Sequence, residues 1–306
     1  MYEWNGYSVD REYYYNNAGR QMRKLSESVH SRYLELYKSN IPFPEDGYKG
    51  EYIKDIAQSI KEEYSDTLIN KSNLDKIKTI SEKQIFNNIE KTLDSIGIVF
   101  DNFYNEQSLY EDKKIYKVIE ELDKKGLIYE KENATWFNGI KAGRNSDRVL
   151  IKSSGEPTYR LPDMAYHITK FERGYDYCID IFGADHMDAY PDVLEVINQL
   201  GFDAKKVNVL IHQFISILKN GKPIKMSTRQ ANFITLDELV SDVGKDVVRY
   251  FFIMRNMNSH LNFDLELAKE KSDKNPVFYI QYAHARICNI INKLDSNEIN
   301  MKKINL

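Results

Sequence analysis

Two unbroken apolar stretches with a helical stretch between them constrain the fold of this chain more than any other feature. Residues 175–183 (YDYCIDIFG) and 207–218 (VNVLIHQFISIL) each have the pattern of a continuous apolar strand, and residues 189–200 have helical spacing. Strands of this kind that alternate with helices form parallel sheets covered on both faces, so the pattern predicts an α/β fold. Ligands bind such sheets at the carboxyl ends of the strands, where residues 183–186 (GADH) fall.

Charge and apolar periodicity divide the rest of the chain. Residues 16–37 carry apolar side chains at three- and four-residue steps, which predicts one amphipathic helix. Residues 51–126 are dense in charge and have the same spacing, so we interpret them as a helical insertion with solvated faces. The other predicted elements are a strand at 7–13, a loop at 40–50, a pair of strands at 127–138, a strand at 148–154, and helices at 163–173 and beyond 244.

Composition excludes several classes of function. The chain has 306 residues, enough for about two domains, and 43 Lys and Arg against 46 Asp and Glu give a formal net charge of -3. Any contact with nucleic acid must therefore come from a local basic patch. Cys178 and Cys288 are too few for a disulfide framework or a metal cluster, and the first residues lack a signal sequence. We expect a cytoplasmic setting, no membrane span and no disulfide-linked partner.

A basic loop before a helix start is the main candidate for anion binding. Residues 225–229 (KMSTR) follow a predicted Asn-Gly turn and precede Thr235, which has the pattern of a helix N-cap with Glu238 at the capping-box position. A lysine charge and hydroxyl donors next to a helix N-terminus suit a polyphosphate. A solvated surface hairpin would account for the same residues.

Four segments together resemble the arginyl-tRNA synthetases, a family of class I aminoacyl-tRNA synthetases. They are GRQMRKLSESVHSRYLEL, PTYRLPDMAYHITKFERGYDYCIDIFGADHMDAYP, KMSTRQANFITLDELVSDVG and NPVFYIQYAHARI, and they occur in the family's order. The resemblance implies a Rossmann-like nucleotide-binding sheet. It also implies an enzyme that activates L-arginine with ATP, accompanied by Mg²⁺, and transfers the arginyl group to tRNA(Arg).

The resemblance assigns the basic loop to catalysis. KMSTR is similar to the class's KMSKS loop, which stabilises the ATP triphosphate during adenylation, and this implies that role for Lys225, Met226 and Ser227. Thr228 stands where the class usually has a second lysine.

The resemblance also assigns a substrate pocket. Tyr159 and Asp163 match the family positions that bind the guanidinium of arginine, and a carboxylate and an aromatic face are the groups that such a cation requires. Asp163 could instead only cap the helix after Pro162. Gly183 and Asp185 fit the class's adenosine-binding turn, and His186 would lie near the aminoacyl-adenylate. The resemblance thus implies that these three residues and Lys225 contact ATP and that His186 also contacts arginine. A structural hydrogen bond is the alternative for such an Asp-His pair.

The family's organisation divides the chain into a partial catalytic domain, 1–244, with its insertion at about 51–126, and the start of an α-helical anticodon-binding domain, 245–306. No H-x-G-H signature is found, so we interpret the chain as an internal piece that lacks the first half of the catalytic fold and most of the helical domain. We expect the isolated chain to be inactive in arginine-dependent pyrophosphate exchange. Two alternatives are a nucleotidyltransferase-like enzyme, which would not need residues 245–293, and a synthetase-derived binding module without aminoacylation activity.

In the completed enzyme, we expect Lys225→Ala to slow adenylate formation more than it weakens ATP binding. The lysine charge is needed most when negative charge builds on the departing pyrophosphate. Single-turnover rates across ATP concentrations separate the two effects. Normal turnover with weakened ATP binding would mean that the loop only holds the nucleotide.

Overall fold

The computed structural model describes residues 1–39, 41–224, 226 and 233–293. Its contacts group into two compact units, one formed by Met1–Phe214 and the other by the described residues from Ile215 onward. The predicted domain boundary at residue 244 is a functional division, and it stays a prediction.

The first unit mixes helices with short strands. The elements, in chain order, are β1 Glu12–Tyr15, α1 Gly19–Glu35, α2 Glu51–Tyr64, α3 Leu74–Ser95, β2 Asn102–Asn105, α4 Gln107–Glu111, α5 Lys114–Lys124, β3 Ile128–Lys131, β4 Ala134–Phe137, β5 Arg148–Ile151, α6 Arg160–Glu172, β6 Cys178–Gly183, α7 Tyr190–Gln199 and β7 Val207–His212. Strands β1 and β2 form a parallel pair, strands β3, β4 and β5 form an antiparallel sheet, and strands β6 and β7 form a second parallel pair. The predicted α/β class with parallel strands is confirmed.

The helices at the start of the unit pack through one apolar face each. Ile53, Ile56 and Ile60 of α2 recur at helical spacing and are buried against α1 and α3. The buried Tyr33 hydroxyl donates to the backbone oxygen of Ser65, so its polar tip is satisfied within this cluster. A second cluster is built from α5, β4, β5, α6 and α7, and it buries Leu161 in the first turn of α6.

The segment 51–126 contains more than the predicted helices. Strand β2 pairs in parallel with β1, with Tyr104 opposite Tyr14 in register. The two rings stack with their centroids 6.0 Å apart, and both pack against Tyr166 of α6. The predicted helices of segment 51–126 are present, and strand β2 is an addition that the sequence did not predict, because a four-residue strand within a charged stretch is too short to show a period.

Helix α6 begins at Arg160 rather than at the predicted residue 163. Pro162 is tolerated there because its missing N–H lies in the first turn, where backbone donors have no partner within the helix. The earlier start places Tyr159 at the N-cap and Asp163 in the first turn of the helix.

The second unit packs short strands against helices. Its elements are β8 Ile215–Lys219, β9 Lys222–Pro223, α8 Leu236–Val243, α9 Lys245–Ile253, β10 Leu261–Asp264, α10 Leu265–Lys269 and α11 Pro276–Lys293. Strand β8 pairs in parallel with β10 and antiparallel with β9 around a core that includes Phe251 and Phe263. The predicted capping box is confirmed, since the Thr235 hydroxyl accepts from the Glu238 N–H and the Glu238 carboxylate accepts from the Thr235 N–H.

The single strand predicted at 207–218 is wrong. The chain leaves strand β7 after His212 and begins strand β8 at Ile215, and the two strands pair with different partners in different units. A run of apolar residues indicates that they are buried but not which strand each of them pairs with. The sequence pattern therefore could not predict the break between β7 and β8. No helix among the described residues is long and apolar enough to cross a membrane.

The expectation of a parallel sheet covered on both faces fails for strand β6. Cys178 is buried, but Ile179 is exposed and Ile181 is 65% exposed. Within the described residues, this face of β6 borders an open cleft.

Candidate functional site

A cleft of about 1220 Å³ lies within the first unit and brings together the residues predicted for substrate binding. Tyr159 and Asp163 come from the start of α6, and Asp185 and His186 come from the turn after β6. Residues 12–14 of β1, the start of α1 and Glu106 also line it. Residues that are far apart in sequence therefore line one cavity.

The Asp163 carboxyl faces the cleft without a partner. The N-cap of α6 is Tyr159, no side chain caps the helix there, and Asp163 lies inside the first turn. Among the hydrogen bonds and ion pairs of the described residues, Asp163 takes part only through its backbone: its N–H donates to the Tyr159 oxygen, and its own oxygen is 2.7 Å from His167 Nδ1. The structure therefore gives no support to a purely capping role for this carboxyl.

Glu106 is a second carboxyl in the same wall. It follows β2, is buried, and accepts a hydrogen bond of 2.8 Å from the Tyr14 hydroxyl. Burial raises the pKa of Glu106, although the bond from Tyr14 opposes this shift. Burial and the negative charge of Glu106 together raise the pKa of Asp163 to about 7, against the attraction of Lys170. Among the described residues, neither carboxyl forms an ion pair, so the wall can accept a cation from outside.

Sequence reasoning missed Glu106. The residue lies in the segment interpreted as an insertion, and only the strand before it signals its position. Had β2 been predicted, Glu106 would have been recognised as an acidic residue at the carboxyl end of a parallel strand, the usual place for ligand contacts.

Helix α6 is held to strand β6 by a charged network behind the cleft wall. Asp180 of β6 accepts a bond of 2.8 Å from His167 Nε2 and an ion pair from Lys170. Burial raises the pKa of Asp180, but the bond from His167 and the charge of Lys170 outweigh it and bring the pKa to about 2. His167, assigned to structure on its spacing, thus connects this carboxylate to the backbone of Asp163.

Gly183 ends strand β6 close to the Asp185 carboxylate. A Cβ atom on this residue would lie 2.6 Å from Asp185 Oδ1, while its φ of -68° is open to any residue. A side chain at this position would therefore displace the Asp185 carboxylate from its present place. The His186 ring stacks on Phe182 with centroids 5.2 Å apart. The described residues show no hydrogen bond between the side chains of Asp185 and His186, so the proposed structural pair is not formed.

The basic loop falls mostly outside the described residues. Lys225 and Ser227 belong to the part that the structure does not describe, and Met226 is exposed. Within the described ranges, no group of three or more His, Cys, Asp or Glu side chains could hold a metal ion.

The strand-end turn and the cleft beside it agree with the resemblance to class I aminoacyl-tRNA synthetases. The family model of the class I (R) tRNA synthetase catalytic domain matches residues 1–295. The chain therefore belongs to the arginyl-tRNA synthetase family.

Individual relatives agree with this assignment. An arginine–tRNA ligase of Desulfotalea psychrophila is 55% identical over 95% of this chain and 53% of its own length, and that of Salinibacter ruber is 48% identical over 95% and 55%. A solved structure from Campylobacter jejuni, described as an arginyl-tRNA synthetase, superposes with a TM-score of 0.87 at 33% identity over 98% of this chain and 67% of its own. The chain spans about half the length of the curated relatives it matches.

We expect Asp163→Asn to stabilise the unliganded protein at neutral and alkaline pH. The pKa of Asp163 is about 7 in the folded state and its ordinary value is 3.8. Because the unfolded chain releases this proton first, the wild type loses stability as the pH rises between these values, and an amide does not. Urea unfolding should show a difference that grows from pH 4 to 7 and levels off above pH 7 at no more than about 4 kcal/mol, since each pKa unit corresponds to about 1.4 kcal/mol.

Asp55→Asn is the matched control, because Asp55 is exposed on α2. A pH-independent difference between Asp163→Asn and wild type would contradict the assignment of a raised pKa to Asp163.

Proposed function

We propose that the protein is an arginine–tRNA ligase, which joins L-arginine to tRNA(Arg) at the expense of ATP in the cytoplasm. The observation that carries this proposal is a pair of carboxyls that form no ion pair among the described residues, the buried Glu106 and the partly buried Asp163, in a cleft next to the strand-end turn. Uncompensated buried acids lower stability, so a fold retains them where a ligand supplies the opposite charge.

The acids suit the guanidinium of arginine. That cation is planar and presents several N–H donors, which two carboxylates can accept in paired geometry, whereas the ammonium of lysine is a compact point charge. Tyr159 adds an exposed aromatic ring at the N-cap of α6. The guanidinium of the neighbouring Arg160 already lies over that ring, 4.9 Å from its centroid, which supports a stacking role for Tyr159.

The turn after β6 would hold the nucleotide. Gly183 leaves room for the Asp185 carboxylate, which would accept hydrogen bonds from the ribose hydroxyls, and His186 would contact the adenylate. Lys225, Met226 and Ser227 would stabilise the triphosphate, and Mg²⁺ would arrive with ATP as part of the substrate.

The reaction then needs positioning and charge stabilisation. The arginine carboxylate attacks the α-phosphorus of ATP, the bond to pyrophosphate breaks, and arginyl-adenylate forms. A ribose hydroxyl at the tRNA 3′ end next attacks the arginyl carbonyl, and AMP leaves. Substrate groups make each bond, so no covalent intermediate with the protein is required.

Asp163→Asn should weaken arginine binding to the purified protein by about 2 kcal/mol or more, because the guanidinium loses a charge-assisted pair inside the cleft. Calorimetric titration with arginine, and with lysine as competitor, measures the effect. Lysine should not become a better ligand, and Asp55→Asn should bind arginine as the wild type does. Unchanged arginine affinity in Asp163→Asn would refute the pocket assignment.

Arginine binding should also release protons at pH 6 to 7. The guanidinium favours ionised Asp163 and so lowers its pKa from about 7, which means that affinity rises with pH through this range. Titrations in buffers with different heats of ionisation count the protons released. Glu106→Gln should reduce the release, because removing the neighbouring negative charge lowers the pKa of Asp163 before arginine binds. Binding without proton release would show that Asp163 does not meet the ligand.

A further inference from the structure

Three arginines converge on one buried aspartate beside the cleft. Asp192, in the first turn of α7, is 1% exposed and accepts from Arg148 Nε at 2.7 Å, Arg144 Nε at 3.1 Å and Arg160 Nε at 3.3 Å. The arginines come from the turn before β5, from β5 itself and from the first residue of α6. We call these four residues the arginine cluster.

The arginine cluster carries more positive charge than its aspartate neutralises. Each arginine uses only its Nε, and none of the terminal guanidinium nitrogens has a hydrogen-bond partner within the described residues. Arg144 and Arg148 are 28% and 32% exposed, so these nitrogens can reach solvent. The adjacent Asp147 does not offset the charge through a bond to the cluster, since its oxygens accept from the Tyr129 hydroxyl and the Ile140 N–H.

The position of the arginine cluster links the cleft to the surface beside it. Arg160 is part of the cleft lining, while Arg144 and Arg148 lie outside the residues that line it in the described chain. Asp192 therefore holds three guanidinium groups together at the cleft edge, one of which lines the cleft. Three forked donors offer more hydrogen bonds than one small anion can accept, and neighbouring phosphates of a nucleic-acid strand can share them.

We propose that the arginine cluster binds the phosphodiester backbone of the single-stranded 3′ end of the RNA substrate, where that strand enters the cleft. This inference rests on the proposed function, which requires a 3′-terminal ribose to reach the adenylate. With a net charge of -3, the chain has no overall field that attracts RNA, so a local cluster has to supply the contact. Asp192 acts here as a positioning residue, because it fixes the guanidinium groups before the strand arrives.

The test uses a fluorescent single-stranded RNA with the 3′ sequence of tRNA(Arg), titrated with the full-length protein at several salt concentrations. Arg144→Gln and Arg148→Gln should each weaken binding about threefold to tenfold and reduce the slope of log K against log salt by about 0.7 per lost phosphate contact. Arg32→Gln is the matched control, since Arg32 pairs with Glu35 and stacks on Phe43, away from the cleft lining.

A truncated tRNA(Arg) without its single-stranded 3′ end localises the effect. The cost of Arg148→Gln should be present with the intact tRNA and absent with the truncated one. The proposal is overturned if Arg144→Gln and Arg148→Gln bind RNA as Arg32→Gln does, if the loss persists on the truncated tRNA, or if the wild type does not bind at low salt. Cluster-dependent binding of inorganic pyrophosphate without binding of RNA would also overturn it, in favour of a free-phosphate site.

Arg148→Lys guards against a folding artefact, because it keeps the charge next to Asp192 but loses the guanidinium fork. We expect thermal melting close to the wild type and RNA affinity between the wild type and Arg148→Gln. Wild-type RNA affinity in both Arg148→Lys and Arg144→Gln would refute the proposal. Arginine affinity is measured in parallel to distinguish the two proposals. If the wild type does not bind arginine, the arginine pocket is refuted. If it binds arginine but its RNA binding does not depend on the arginine cluster, only this inference is refuted.

Discussion

The bond between Asp180 and His167 is the interaction on which the geometry of the cleft depends. It ties strand β6 to helix α6 through a buried carboxylate, and Lys170 from the same helix adds a second anchor. Because β6 continues into the Asp185 turn and α6 carries Asp163 in its first turn, this one network sets the distance between the two halves of the candidate site. Asp180, which has two partners, thus positions Asp163, whose carboxyl has none among the described residues. The pKa of Asp180 is about 2 and that of Asp163 is about 7.

That contrast explains how the fold tolerates the cleft acids. Asp180 is ionised in the unliganded protein because His167 and Lys170 supply a hydrogen bond and a positive charge whether or not a ligand is bound. Asp163 and Glu106 face the cleft without a cation, and each responds to burial by holding its proton more tightly. Protonation of Asp163, whose pKa is about 7, limits the electrostatic penalty in the empty site. If the proposed arginine pocket is correct, the charge of the ligand would favour the ionised acid, and binding and ionisation would be coupled.

Sequence reasoning located the parts of the site that follow strong patterns. The strand before residues 183–186 is a long apolar run, and the Thr235 capping box has a fixed spacing, so both could be predicted. Glu106 could not, because its strand is four residues long and takes its stability from pairing with β1 and from aromatic packing far away in sequence. The break between β7 and β8 was missed for a related reason, since pairing partners are decided by tertiary structure.

The interior and the edge of the cleft carry opposite charges. In its interior, the protein supplies carboxyls without cations, which suits a ligand that brings a guanidinium. At its edge, the protein supplies guanidinium groups in excess over Asp192, which suits a ligand that brings phosphates. Arg160 lies between the two regions, bonded to Asp192 and stacked on Tyr159, and its positive charge acts on Asp163. Arg160 and Asp163 both belong to the first turn of α6, which the Asp180 network holds against β6. The proposed arginine pocket and the proposed RNA contact therefore share one helix turn, and a shift of that turn would alter both.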